Sequence, residues 1–266
     1  MVNFTCAILH KQTPERQTAL LQMLDALDIE ERKGQIVGRI FADPKPEGMP
    51  WAEFKTILAQ QQWEWALQQG SQFTHHVFLT DDLHCHPLFW DVLEAMVEGA
   101  KPKALGLLSN HPWGPVLYHE GKHAYRCNSW LVGPAYAVTT AFLAGALAKY
   151  RELPETGDKS RQWFNDDSWL NEFNTCHGGG GESWHPLPTI IEHRFDVEST
   201  VGHGDRFSRE RVSWREERKV VDDGEEWQWA SKPLYRFGHE TERLEELMCR
   251  AEFWAGEAPM LPVGGE

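Results

Sequence analysis

The chain has 266 residues, 41% of them apolar, and a formal charge of −14 at pH 7. That length buries a substantial core in one large domain or two small ones, and the composition is that of a soluble globular protein. The acidic excess excludes a protein that works by covering nucleic acid with positive surface, while leaving a local basic groove open. No run approaches the roughly 18 to 20 consecutive apolar residues of a membrane span, and the first residues lack the basic and apolar regions of a signal peptide, so a cytoplasmic location is expected. The cysteines, Cys6, Cys85, Cys127, Cys176 and Cys249, are odd in number and scattered, as reduced thiols are. The 13 tryptophans offer indole rings for core packing and as platforms for sugars or bases.

Asn3 to His10 reads as a strand. Pro14 to Leu27 reads as a helix with apolar positions at Leu20, Leu21, Leu24 and Leu27, capped by Thr13 with Pro14 in its first turn. A second strand, Gln35 to Ala42, runs into the loop Asp43-Pro44-Lys45-Pro46-Glu47-Gly48. Trp51 to Gln69 is a second helix, Thr74 to Leu79 a third strand, and Pro87 to Glu98 a third helix. Strand and helix alternating through the first hundred residues is the pattern of a parallel sheet covered by helices. Right-handed crossovers then place the strand ends near His10, Asp43 and Asp81 along one rim.

Beyond residue 103 the texture changes. Ala104 to Leu108 is a short strand, Ser129 to Val138 has strand character, and Thr139 to Tyr150 is a helix. Phe164 to Leu170 opens another short helix, Gly178 to Gly181 reads as a hinge or a loop that orders over a ligand, and Leu187 to Glu192 is a strand closing on His193. A last helix spans about Glu240 to Trp254, and the final dozen residues are expected to fray. The organisation expected is one α/β domain with a first half over 1–103, a second half over 104–219 and a C-terminal extension over 220–266.

The third strand carries the most chemistry, because its apolar run Val77-Phe78-Leu79 ends in Thr80-Asp81-Asp82. Carboxylates at a strand's carboxyl end suit a divalent cation and the phosphates it carries. The competing reading is an Asp-capped turn. Asp82 with His193 forms a plausible ligand pair for Mn²⁺ or Mg²⁺. Asp166 and Asp167, at a helix start, are either caps or a general base for an attacking hydroxyl. His84, Cys85 and His86 with Cys127, Cys176 and His177 match no standard zinc spacing. The Gly178–Gly181 run lacks the Lys-Ser/Thr pair of a phosphate loop.

The order of these motifs resembles the GT-A fold of glycosyltransferases, over roughly residues 3 to 207. Thr80-Asp81-Asp82 stands in the Asp-X-Asp slot with Thr80 replacing its first carboxylate, so Asp82 corresponds to the metal-binding aspartate and Asp81 faces the donor ribose or sugar. The stretch Trp130 to Val138 resembles the segment that closes over the donor sugar, with Gly133 at the close approach. Asn165-Asp166-Asp167-Ser168-Trp169-Leu170 resembles the motif that supplies the base in inverting members, and Pro188 to His193 the late strand ending in a metal-ligating histidine. Ser199 to His203 lies where some members fold a loop over the diphosphate, which makes His203 a donor contact. The same resemblance puts His10, Lys11, Thr13, Asp43 and Lys55 on the nucleotide pocket, with Lys55 otherwise a solvated helix charge, and makes Arg206 and Arg209 either phosphate contacts or partners of nearby Glu and Asp.

The resemblance implies a metal-dependent glycosyltransferase, using Mn²⁺ or Mg²⁺ and a nucleotide-sugar donor, with UDP-sugar favoured. Its hydroxyl acceptor would be a glycan, a protein, a small molecule or a hydroxylated DNA base, the last as in phage enzymes of related fold; the location would then be the host cytoplasm. Two alternatives remain: a nucleotidyltransferase, although Leu9 to Glu15 contains no glycine for its phosphate-binding loop, and a non-catalytic nucleotide- or sugar-binding module.

Overall fold

Alternation of side chains along β1 (Phe4–Leu9) and β3 (His75–Thr80) feeds two separate apolar cores, one on each face of a sheet. Phe4, Cys6, Ile8, Val77 and Leu79 enter one core, while Ala7 and Phe78 enter the other. A computed structural model describes residues 2–32, 34–108, 117, 122–128, 135–153, 166–187, 189–194, 197, 219–222, 225–228 and 258–261.

The first half follows the expected alternation: β1, α1 (Pro14–Leu27), β2 (Ile36–Phe41), α2 (Trp51–Gln68), β3, then the short β4 (Leu83–Cys85) and α3 (Phe89–Ala100). Thr13 is extended at φ −122°, and its hydroxyl accepts from the Arg16 N–H at 3.4 Å, which starts α1. Asp28, left-handed at φ 45°, ends it. The buried stripe of α1 is Arg16, Ala19, Leu20, Met23 and Leu27; Leu21, expected on that stripe, is 58% exposed. The helix presents one residue in three or four to the sheet, and the register that buries Met23 turns Leu21 outward.

The second half holds β5 (Ala104–Gly106), β6 (Ala124–Cys127), β7 (Ala135–Thr139), α4 (Thr140–Glu152), α5 (Asp166–Cys176), β8 (Ser183–Pro186) and β9 (Ile191–His193). A hairpin of β10 (Lys219–Asp222) and β11 (Glu225–Gln228) follows, and then β12 (Met260–Leu261). Eight strands form one mixed sheet in the order β12-β6-β8-β5-β7-β3-β1-β2, in which β1, β2, β3, β5 and β8 run one way and β7, β6 and β12 the other. This is the α/β class expected of a GT-A-like chain: a mixed, mostly parallel sheet with helices on both faces. One core gathers α1, α3 and the β4–β9 ladder; the other gathers α2, α4 and α5.

Several local expectations change. Within the last dozen residues, 258–261 are held, because β12 pairs in parallel with β6 and the Arg126 backbone N–H donates to Pro259 O at 2.8 Å. Backbone pairing outweighs the entropy of ordering that short stretch. The Gly178–Gly181 run is a helix stop: Gly178, Gly180 and Gly181 have positive φ, and the Gly181 N–H reaches both the backbone and side-chain oxygens of Asn174, at 3.0 Å each. The helix expected over Glu240 to Trp254 lies outside the described residues.

Candidate functional site

Strand order dictates where the first half gathers its chemistry. From β1 the chain steps to β2 on one side and then crosses to β3 on the other, so the order β2-β1-β3 has its switch point between β1 and β3. Open α/β sheets leave a crevice at that point, outside the carboxyl ends of the strands. A cavity of about 280 Å³ lies there. Its walls include His10, Lys11 and Thr13 after β1, Asp43 and Lys45 after β2, Phe54, Lys55 and Leu58 on α2, Thr80 and Asp81 after β3, and Arg16 on α1.

The sequence-derived candidates His10, Lys11, Thr13, Asp43, Lys55, Thr80 and Asp81 thus share one wall. Among the described lining residues, Lys11, Arg16, Lys45 and Lys55 stand against two carboxylates, Asp43 and Asp81, in a chain whose formal charge is −14. A local cationic lining inside an acidic protein selects for an anion.

The acidic pair is held from three directions. Asp81 is 1% exposed; its Oδ2 takes His10 Nδ1 at 2.7 Å and the Lys11 backbone N–H at 2.8 Å, and its Oδ1 pairs with Arg16 Nη1. Asp82, 5% exposed, pairs through Oδ2 with Arg16 Nη2 at 3.0 Å and accepts the Thr80 hydroxyl on Oδ1 at 2.5 Å. Arg16 itself is 3% exposed. One guanidinium forks across both carboxylates, the arrangement its planar donors suit. Sequence reasoning misses Arg16. The signal available is its spacing to Leu20, Met23 and Leu27: an arginine on an apolar stripe needs a buried counter-charge.

β4 and β9 form a small antiparallel ladder that pairs Leu83 with His193. The Arg194 N–H donates to Asp82 O at 2.8 Å, which brings the backbones of the two candidate metal ligands within one residue across the ladder. The side chain of His193 lies outside the described set. Both oxygens of Asp81 are engaged by His10, Lys11 and Arg16, and both oxygens of Asp82 by Arg16 and Thr80; a carboxylate and an imidazole at 82 and 193 are donor types that suit Mn²⁺. Among the described residues no cluster of three or more histidine, cysteine or acidic side chains could hold a metal, and the zinc arrangement is not assembled. Cys85 is buried beside Ile191, Cys127 sits in β6, and Cys176 is exposed at the end of α5.

Asp166 and Asp167 occupy the first turn of α5. This helix runs antiparallel to α4: Phe173 meets Phe142 near the start of α4, and Trp169 meets Tyr150 near its end. Since α4 starts where β7 ends, beside His75, the first turn of α5 points toward the end of the sheet that carries Asp81 and Asp82. Asp167 is not among the described residues that line the cavity; its carboxylate caps the Ser168 N–H at 2.8 Å. The segment expected to close over a donor enters β7 at Ala135, opposite Leu79, and Tyr136, Ala137 and Val138 are core. Gly133, His203, Arg206 and Arg209 lie outside the described residues.

The scan against family models found no match, and no curated protein matches the sequence. Solved structures are similar in part, among them the following two. One is a glycosyltransferase involved in glycosylation of the major capsid of PBCV-1, at 11% identity over 59% of this chain and 70% of that one, with a TM-score of 0.32. The other is residues 1–349 of TarS from S. aureus, at 11% identity over 64% of this chain, with a TM-score of 0.38; the chain spans 56% of its length. The fold class therefore rests on the strand order itself.

Proposed function

We propose that the chain is a glycosyltransferase that takes a sugar from a nucleotide diphosphate donor. The observation that carries this reading is the cation-lined cavity at the β1/β3 switch point, walled by both a buried carboxylate and an apolar helix face. Phe54 and Leu58 offer apolar surface to a base, Asp43 offers an acceptor to an imide N–H such as that of uracil, and Lys11, Lys45 and Lys55 offer charge to phosphates. UDP-sugar is the donor these groups favour.

Asp82 and His193 would hold a divalent cation. When bound, Mn²⁺ or Mg²⁺ supplies positive charge against the departing diphosphate. The chain's own residues do the rest: Lys11 and Lys55 hold phosphate oxygens, Asp81 keeps His10 and the Lys11 backbone at the cavity wall, and Thr80 orients Asp82. If the sugar's configuration inverts, Asp167 or Asp166 takes the proton of the attacking hydroxyl. If it is retained, those carboxylates position the acceptor. Gly133 and His203 complete the donor side in this reading. The acceptor is a hydroxyl on a glycan, a protein, a small molecule or a modified DNA base.

Turnover of a panel of nucleotide sugars with and without Mn²⁺ tests this. The expected result is cation-dependent release of one nucleoside diphosphate, lost in Asp82→Ala. No turnover of any donor, with Asp82→Ala indistinguishable from wild type, overturns the reading.

A further inference from the structure

Among the described strands the large sheet ends in β2 on one side and, but for β12, would end in β6 on the other. A free strand edge offers unpaired N–H and C=O groups to any second strand, and exposed charge is one common defence. β2 has that defence: Gly38, Arg39 and Ile40 are exposed, with the Arg39 guanidinium over the Phe41 ring at 4.7 Å from its centroid. β6 is built differently. Ala124, Tyr125 and Cys127 are buried, and the charge of Arg126 is committed within its own chain. Its Nη1 pairs with Glu182 at 3.4 Å, its guanidinium lies 5.5 Å from the Trp184 ring centroid, and its Nε donates to Ala258 O at 3.0 Å.

The last of those contacts reaches the segment that closes the edge. The Arg126 backbone N–H donates to Pro259 O at 2.8 Å, Met260 and Leu261 pair with Arg126 and Cys127, and Ala258 enters the core cluster that holds Ala124. The closing strand is itself a poor template for another. It is two residues long, and the prolines on either side of it, Pro259 and Pro262, have no N–H to offer. We propose that residues 258–261 are a guard strand, which keeps the outer edge of β6 from pairing with β6 of a second copy of the chain, and that Arg126 holds the guard in place. Two copies of one strand edge related by a two-fold axis pair antiparallel, so the edge of β6 is complementary to itself. Such pairing opposes no uncompensated like charges, because each Arg126 carries its own Glu182. The β6 edge lies across the sheet from the β1/β3 crevice, so the inference stands apart from the proposed activity.

Sedimentation velocity of the full chain over a concentration series tests it. Leu261→Pro removes the N–H that a parallel ladder returns to the Arg126 carbonyl, and the variant is expected to self-associate about ten-fold more tightly than wild type. A synthetic peptide of residues 257–263 is expected to reverse that gain by taking the vacated edge, and the same peptide carrying Leu261→Pro is not. Arg126→Ala keeps the ladder and loses the side-chain bond to Ala258, so a smaller gain of about three-fold is expected. A folded Leu261→Pro that sediments as wild type does overturns the guard role. An added association that the wild-type peptide leaves unchanged overturns it as well, because the contact then lies elsewhere. If Leu261→Pro does not fold, Arg126→Ala decides, and self-association equal to wild type overturns the proposal.

Discussion

At its amino end β3 buries two imidazoles; at its carboxyl end it delivers two carboxylates. The polar side chains at both ends are buried, but they meet different partners. His76 lies between two hydroxyls, Thr5 Oγ1 at 2.8 Å from Nδ1 and Thr140 Oγ1 at 3.0 Å from Nε2. Because the Thr140 hydroxyl donates to Phe73 O at 2.8 Å, it accepts from His76, which assigns the proton to Nε2 and leaves Nδ1 to accept from Thr5. Burial, with His75 alongside, pushes the His76 pKa down to about 4. That end is neutral. The carboxyl end sets two carboxylates against a guanidinium and opens onto a hollow lined with lysines. Buried polarity alone does not mark a site; buried charge beside a cavity does.

The comparison breaks most severely if Arg16 loses a partner. Asp81→Ala leaves Arg16 and His10 buried without that carboxylate and is expected to cost about 3–5 kcal/mol in chemical denaturation, together with nucleotide binding. A loss below about 1 kcal/mol would mean that the network is not a structural ion pair. Acid should act on the other end. The folded His76 value of about 4 lies below the ordinary 6.5, so the unfolded chain binds the proton more readily. Stability is fully present above pH 6.5 and falls as pH drops toward 4, by up to about 3 kcal/mol from this residue. Denaturant midpoints between pH 7.5 and 4.5 should flatten in His76→Gln; parallel slopes would remove His76 as the cause.

Smaller effects separate the ends further. Thr5→Val removes the donor to His76 Nδ1 and should cost about 1–2 kcal/mol while leaving UDP affinity unchanged. Lys55→Ala should do the reverse, weakening UDP binding several-fold by calorimetry with stability within about 0.5 kcal/mol of wild type. A Lys55→Ala protein that binds UDP normally would take that side chain off the donor.

Much of the carboxyl end is legible in the sequence. A strand ending in Asp81-Asp82, after two strand–helix units, places His10, Asp43 and Asp81 on one rim by topology alone, and the cavity lies along it. The amino end is less legible, since His75 and His76 read as part of an apolar strand and only tertiary packing brings in Thr5 and Thr140. Arg16 escapes notice because a charged residue in the first turn of a helix usually faces water, and its partners lie 65 and 66 positions away. The strands β4, β6 and β8 are too short for periodicity to show; their pairing is a long-range event.

The central claim is that the β1/β3 crevice holds a nucleotide diphosphate. A crystal structure of the protein with UDP and Mn²⁺ tests it most directly. The account predicts the diphosphate beside Lys11 and Lys55, the base against Phe54 and Asp43, and one cation shared by Asp82 and His193. UDP bound elsewhere, or an empty crevice at saturating UDP, would contradict it.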